Sequence, residues 1–158
     1  MPEKKTPLIL RLRPFLKRMN GFMRRIYSPK FPGRRMILLL TTTGRKSGKP
    51  RVTPLQYELI DGFHYVASGW GKDADWVRNI DHDPRVIVQV GGHTYPALAK
   101  PITDPERIAD FLEVRLKRHP LMVGAMLRAQ GLPLKYERQD LQNLAQDIIS
   151  MKLTPLKN

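Results

Sequence analysis

The chain reads as an α+β protein built around a small antiparallel β-barrel with helices at its margins. Three observations predict this. There are more strand-like runs than a doubly wound sheet needs. Most neighbouring runs are joined by glycine-marked hairpin turns rather than by helical crossovers. The amphipathic stretches gather on either side of the strands. With 158 residues the chain fits one domain with a real core. We divide it into a basic amphipathic helix and linker over 1–35 and a barrel domain over 36–158.

The elements follow in order. From Leu8 to Ile26, apolar residues at Leu12, Phe15, Leu16, Met19, Phe22 and Met23 recur at offsets of three and four. That spacing defines one helical face. Arg11, Lys17, Arg18, Arg24 and Arg25 occupy the other face, and Pro14 starts or kinks the helix. Pro29, Pro32 and Gly33 mark a linker. Met36 to Thr43 is a buried strand ending in three threonines, and Arg51 to Leu59 is its partner. Pro54 inside that partner demands a bulge or an edge position. Asp61-Gly62 turns into a strand from Phe63 to Ser68, and Gly69-Trp70-Gly71 breaks it. A short helix follows, capped by Asp73 or Asp75, with Trp76, Val77 and Ile80 inside and Pro84 at its end.

Arg85 to Val90 and His93 to Lys100 pair around Gly91-Gly92. Thr103-Asp104-Pro105-Glu106 is a capping box that opens a helix burying Ile108, Phe111, Leu112 and Leu116. Leu121 to Gln130 is a short apolar helix, Gln139 to Ile149 another, and Met151 to Leu156 a final strand.

Charge is the most uneven property of the chain. The formal net charge is +14, and residues 1–51 hold 15 Lys and Arg against a single acid, Glu3. From residue 52 onward, 13 Lys and Arg meet 13 acids. An excess confined to one third points to an anionic partner. Four of those cations, Arg45, Lys46, Lys49 and Arg51, crowd a glycine-flanked turn between the first two strands. Gathered at one end of a sheet, they suit a phosphorylated or carboxylate-rich ligand.

Several chemistries are excluded or disfavoured. With no cysteine, disulfides, thiolate metal sites and cysteine nucleophiles are ruled out. Gly44 to Lys49 is one residue short of a P-loop, and Pro50 stands where the magnesium-binding hydroxyl should be. His64, His82, His93 and His119 lack metal-ligand spacing, and there is no Gly-x-Ser-x-Gly elbow. No apolar run approaches the ~18–20 residues that span a bilayer, and Arg11 and Arg13 interrupt any signal-peptide reading.

Three segments in order, TTTGRKSGKPRVTPL, DGFHYVASGWG and DADWVRNIDHDPRVIVQV, resemble the deazaflavin-dependent nitroreductase family of the split β-barrel flavin and deazaflavin oxidoreductases. The resemblance covers about residues 36–100. It implies an FMN-binding-like split barrel that holds coenzyme F420, a deazaflavin with a phosphate and a polyglutamate tail. Carried over by motif, Arg45, Lys46, Ser47 and Arg51 hold the phosphate and tail. Val52, Thr53, Pro54, Leu55 and Gln56 pass the ring. Ala67, Ser68, Gly69, Trp76 and Asn79 complete the cofactor set, and Lys72 is within its reach. Trp70 and Tyr136 are candidate substrate walls. Bound reduced F420 is itself a hydride donor, so no protein nucleophile is required and no catalytic residue is assigned.

The sequence departs from the family at two points. Gln56 follows the Pro-Leu pair where many members carry tyrosine, and alternation sends Tyr57 to the opposite face. Asp73-Ala74-Asp75 replaces the usual Pro-containing approach to Trp76. The leading expectation is an F420-dependent reductase of an electron-poor acceptor: a nitro compound, a quinone or an enone. The alternative is a non-catalytic split-barrel binder of a lipid, haem or flavin, with FMN or haem in place of F420. A nucleic-acid partner is disfavoured, because the basic turn lacks interleaved aromatics and no recognition helix is evident. The expected location is cytoplasmic, and the basic N-terminal helix either docks on the barrel or lies on an anionic membrane at its inner face. Both monomer and homodimer remain open.

Overall fold

The computed structural model describes Pro14, residues 36–69 and residues 71–157. The basic segment expected over 1–35 lies outside the described residues apart from Pro14, and so does Trp70.

The expected strands are all present and close on themselves. β1 (Ile37–Thr43), β2 (Pro50–Ile60), β3 (Phe63–Ser68), β4 (Arg85–Val90), β5 (His93–Ile102) and β6 (Ile149–Pro155) form a barrel in the order β1-β2-β3-β6-β5-β4. Every pairing is antiparallel, and β1 closes the barrel on β4 through Leu39↔Gln89, Leu40↔Val88 and Thr41↔Ile87. Two hairpins turn at Asp61-Gly62 and Gly91-Gly92, and all four residues have positive φ. That is the backbone twist a two-residue hairpin needs, which accounts for the glycines.

Two apolar cores divide the molecule. Leu38, Leu40, Val66, Val86, Val88, Met151 and Leu153 fill the barrel, joined by Trp76, Val77 and Ile80 of α1 (Asp75–His82). The second core lies outside the sheet. There α2 (Pro105–Arg118), α3 (Pro120–Ala129) and α4 (Arg138–Ala145) pack Ile108, Leu112, Leu127 and Leu141 together, with Tyr65 and Ala67 of β3 against them. The α+β split barrel with peripheral helices is therefore the observed fold. Among the described residues, no helix is long and apolar enough to cross a membrane.

Pro54 takes the edge position foreseen for it. β2 pairs with β1 from Pro50 to Gln56, but with β3 only from Tyr57 to Ile60. Beyond the Tyr57↔Val66 pair, β3 leaves β2 and pairs Ala67 and Ser68 with β6. The two strands thus part, and Pro54, which cannot donate to a ladder, sits where β2 is paired on one side only among the described residues.

Four expectations are corrected. Neither Asp73 nor Asp75 caps α1; the N-cap is Ala74, without a side-chain cap bond. Both carboxylates are held by guanidinium groups instead, Asp73 by Arg78 and Asp75 by Arg45. The N-cap of α2 is Asp104 rather than Thr103, with Oδ1 accepting from the Glu106 N–H at 3.1 Å. Glu106 does not reach back to complete a box, because its carboxylate is taken by Arg138 and Gln142 of α4. The last helix begins one residue earlier than expected, at Arg138, and ends at Ala145. The last strand begins two residues before Met151, because Ile149 and Ser150 are claimed by Ser68 and Ala67 of β3.

Candidate functional site

The basic turn between β1 and β2 is shaped first by its own backbone. The Gly44 N–H donates to the Lys49 carbonyl at 2.8 Å, and the Gly48 N–H to the Gly44 carbonyl at 2.8 Å. Gly48 has φ +66°, a conformation that favours glycine. Gly44 is needed for room: a Cβ there would lie 2.9 Å from Ser47 Oγ and 3.1 Å from the Lys49 carbonyl oxygen.

Asn79 then ties this turn to α1. Its Oδ1 accepts from the Arg45 backbone N–H and from Arg45 Nη1, each at 3.2 Å, while its Nδ2 donates to Thr42 Oγ1 at 3.1 Å. Asn79 is buried, so this is a satisfied internal bracket rather than a surface contact. Arg45 Nη1 also meets the exposed Asp75 carboxylate at 3.0 Å.

Around the bracket opens a cleft of about 430 Å3 lined by Gly44, Arg45, Lys46, Ser47, Arg51, Thr53, Asp75, Trp76 and Asn79. Trp76 serves twice, since it is also packed into the barrel core. Among the described residues, Asp75 is the sole carboxylate in that wall, beside three cations. Among the described residues, Lys46 and Arg51 form no ion pair. Such a wall has donors to spare for an anion.

A second cleft, of about 190 Å3, begins one residue further along β2. Pro54, Leu55 and Gln56 form one side, Ala67 and Gly69 at the end of β3 another, and Leu112, Arg115, Met126, Leu127, Gln130 and Ile148 close it. It occupies the gap where β2 and β3 part. Most of the carried-over cofactor residues therefore fall into two neighbouring clefts on one stretch of β2.

The remaining candidates lie elsewhere. Val52 is half-buried and in neither wall. Ser68 is buried, and its Oγ has no hydrogen-bond partner among the described residues. Lys72 lines a different cleft with Asp73, Thr103 and Asp147. Tyr136 is exposed in the connection between α3 and α4, outside both walls. Tyr57 packs against the barrel core and edges onto the His64 ring at 5.1 Å, whereas Gln56 faces α2 and α3.

Sequence reasoning overlooked Arg115. It is 5% exposed, on the buried face of α2, four residues after Phe111 and three after Leu112. Its Nη2 donates to Gln56 Oε1 at 2.6 Å, and its Nε lies 3.5 Å from Glu58 Oε1. Burial pulls the Arg115 guanidinium below its ordinary pKa, and the Glu58 charge opposes that pull. Glu58, 3% exposed, also meets Arg118 at 2.9 Å and His119 at 3.4 Å. A charged residue at an apolar-face position of a strongly periodic helix was the available signal.

The architecture can be set beside known proteins. A family model described as F420H(2)-dependent quinone reductase matches residues 15–130. This chain belongs to that family. An F420H(2)-dependent quinone reductase of Mycobacterium tuberculosis (strain H37Rv) is 37% identical over 82 residues, covering 49% of this chain and 55% of that protein. The chain thus spans about half the length of the curated relatives it matches. Among solved structures, an F420-H2 dependent reductase is 24% identical with a TM-score of 0.51, covering 75% of this chain and 94% of the other. A conserved hypothetical protein of Mycobacterium tuberculosis superposes with a TM-score of 0.56 at 16% identity, covering 87% and 79%. The haem storage protein of Vibrio cholerae gives 0.54 at 16% identity, covering 89% and 92%. At these identities the structural likenesses speak for the fold alone. Membership of the F420H(2)-dependent quinone reductase family rests on the sequence match.

Proposed function

We propose that the protein is an F420-dependent reductase that passes a hydride from reduced F420 to an electron-poor acceptor of the quinone, enone or nitro class. The observation that carries this reading is the cationic cleft of Arg45, Lys46 and Arg51, braced by Asn79 and continued along β2 by a second, mostly apolar cleft. The donor set fits the cofactor: guanidinium and ammonium groups answer the phosphate and carboxylates of its tail. Arg45, Lys46, Ser47 and Arg51 hold that anionic arm, and Thr53 to Gln56, with Trp76, flank the ring. When bound, reduced F420 supplies the hydride. The protein's own tasks are to orient the ring, to screen it from water and to admit one flat acceptor. Lys72, Ser68 and Val52 are at most accessory in this reading, because they stand outside both walls.

The test is titration of the purified protein with F420, FMN and haem, followed by turnover with reduced F420 and menadione. Saturable F420 binding with turnover is expected; absence of both would sink the reading and favour the non-catalytic binder. Arg45→Ala combined with Lys46→Ala should weaken F420 much more than a deazaflavin lacking the charged tail. Peripheral contact of the basic segment 1–35 with an anionic membrane, at the cytoplasmic face, belongs to the same proposal. Its support is the charge excess of the first third, and co-sedimentation with anionic vesicles tests it.

A further inference from the structure

We infer that Arg115 is the anchor of an acceptor subsite in the second cleft, where its guanidinium receives the carbonyl oxygen of a flat, conjugated acceptor such as a quinone. This rests on the proposed F420-dependent reduction. The wall is mostly apolar, with Leu55, Ala67, Leu112, Met126 and Ile148, and Gln56 and Gln130 are its neutral polar side chains. A guanidinium there costs desolvation, and its retention asks for a purpose. Among the described residues it makes one hydrogen bond, from Nη2 to Gln56, and one ion pair, from Nε to Glu58 at 3.5 Å, and its Cζ stands 5.8 Å from the centre of the Phe111 ring. With Nε turned to Glu58 and one Nη2 hydrogen given to Gln56, three of the five N–H donors remain.

Its aim is fixed from behind. Glu58 is the counter-ion that draws the guanidinium toward β2, and its carboxylate is held in place from the other side by Arg118 at 2.9 Å. Gln56 takes a bond from Arg115 through Oε1, and its Nε2 lies 3.9 Å from the Met122 sulfur. The positive charge is thus held at the cleft wall, on the side of β2 away from Tyr57.

The chemistry needs a charge in that place. When a hydride adds to a conjugated carbonyl compound, a new C–H bond forms, a π bond breaks and its electron pair moves onto the carbonyl oxygen. Reduced F420 is oxidised by the same two electrons, and the oxygen takes a proton from water. A fixed cation beside that oxygen favours the product of this shift over the starting carbonyl.

The experiment compares menadione with 2-methylnaphthalene, which has the same rings and methyl group but no oxygens, by calorimetric titration of the full chain. With no cysteine in the sequence, menadione has no thiol to arylate. Wild type should prefer menadione by about tenfold or more. Arg115→Met should abolish that preference while leaving 2-methylnaphthalene and F420 within about twofold, and Arg115→Lys should keep part of it. Because Arg115→Met alone strands Glu58, the pair Arg115→Met with Glu58→Gln is measured alongside and should behave in the same way. The inference is overturned if the double variant still prefers menadione. It is equally overturned if both hydrocarbon and quinone weaken together, or if the loss appears in F420 affinity instead. Should wild type fail to bind F420 while the Arg115-dependent preference holds, the cofactor reading falls and the subsite stands.

Discussion

Asn79 Oδ1 accepts from the backbone N–H and from Nη1 of Arg45, each at 3.2 Å, so one buried amide fixes both the turn and the direction of its first cation. A residue 34 positions away in sequence sets the geometry of the basic turn. Asn79→Ala should leave Thr42 Oγ1 and the Arg45 N–H short of partners. We expect a stability loss of about 1–3 kcal/mol and F420 binding weaker by roughly tenfold or more. Thermal unfolding and fluorescence titration of the same sample would show both, and an unchanged F420 affinity would remove Asn79 from the site.

Asp75 competes with any anion for Arg45. The carboxylate is 82% exposed and the pair is screened, so its worth is small. Asp75→Asn should raise F420 affinity by about two- to fivefold at low salt, and the gain should shrink as salt is added. A fall in affinity would mean that Asp75 serves the ligand rather than opposing it.

Gly44→Ala changes no charge, yet it should damage the anion cleft. The added methyl meets Ser47 Oγ and the Lys49 carbonyl oxygen at 2.9 and 3.1 Å, and the second of these is backbone that closes the turn. The turn must open to make room. We expect F420 affinity to fall by about tenfold, with the charge-dependent part lost first, which a salt titration of the variant would reveal. Full wild-type affinity would show that the turn's shape is immaterial.

The barrel carries two pH-sensitive groups in contact. His64 Nδ1 lies 2.6 Å from the Tyr95 hydroxyl. Burial lowers the His64 pKa and raises that of Tyr95 to about 12. The unfolded chain therefore takes up the histidine proton first, and stability falls as pH drops below about 6.5. At the alkaline end the unfolded chain loses the tyrosine proton first, so stability falls as pH rises above about 10. His64→Gln should flatten the acid limb, and Tyr95→Phe should reduce the alkaline limb, the rest coming from Tyr57, whose pKa burial also raises; each is read from denaturant melts across pH. A limb left unchanged by its own substitution belongs to another group.

The strands and hairpins were legible because alternation and paired turn residues are local signals. Pro54 announced either a bulge or an edge position, and the structure shows the edge. The basic turn was legible too, as four cations beside glycines. What stayed hidden was long-range pairing. Asp73 and Asp75 look like caps in sequence, and only the arrival of Arg78 and Arg45 diverts them. Glu106 looks like half of a capping box until α4 brings Arg138 and Gln142 to it. Arg115 was passed over because the eye follows apolar spacing and skips the one position that breaks it. Tyr57 was placed correctly by alternation alone, on the face opposite Gln56.

The parting of β2 from β3 has a consequence for how the site can vary. From Pro50 to Gln56, β2 is paired on one side only among the described residues, so alternate residues turn main-chain N–H and C=O groups toward the gap. A flat heteroaromatic ring can be gripped by that bare edge without calling on any side chain. Pro50 and Pro54, four positions apart and so on the same side, withhold two donors; the remaining groups belong to the main chain whatever the side chain. If the cofactor ring lies along this edge, as the proposed function has it, a main-chain grip would not depend on which side chains line the clefts.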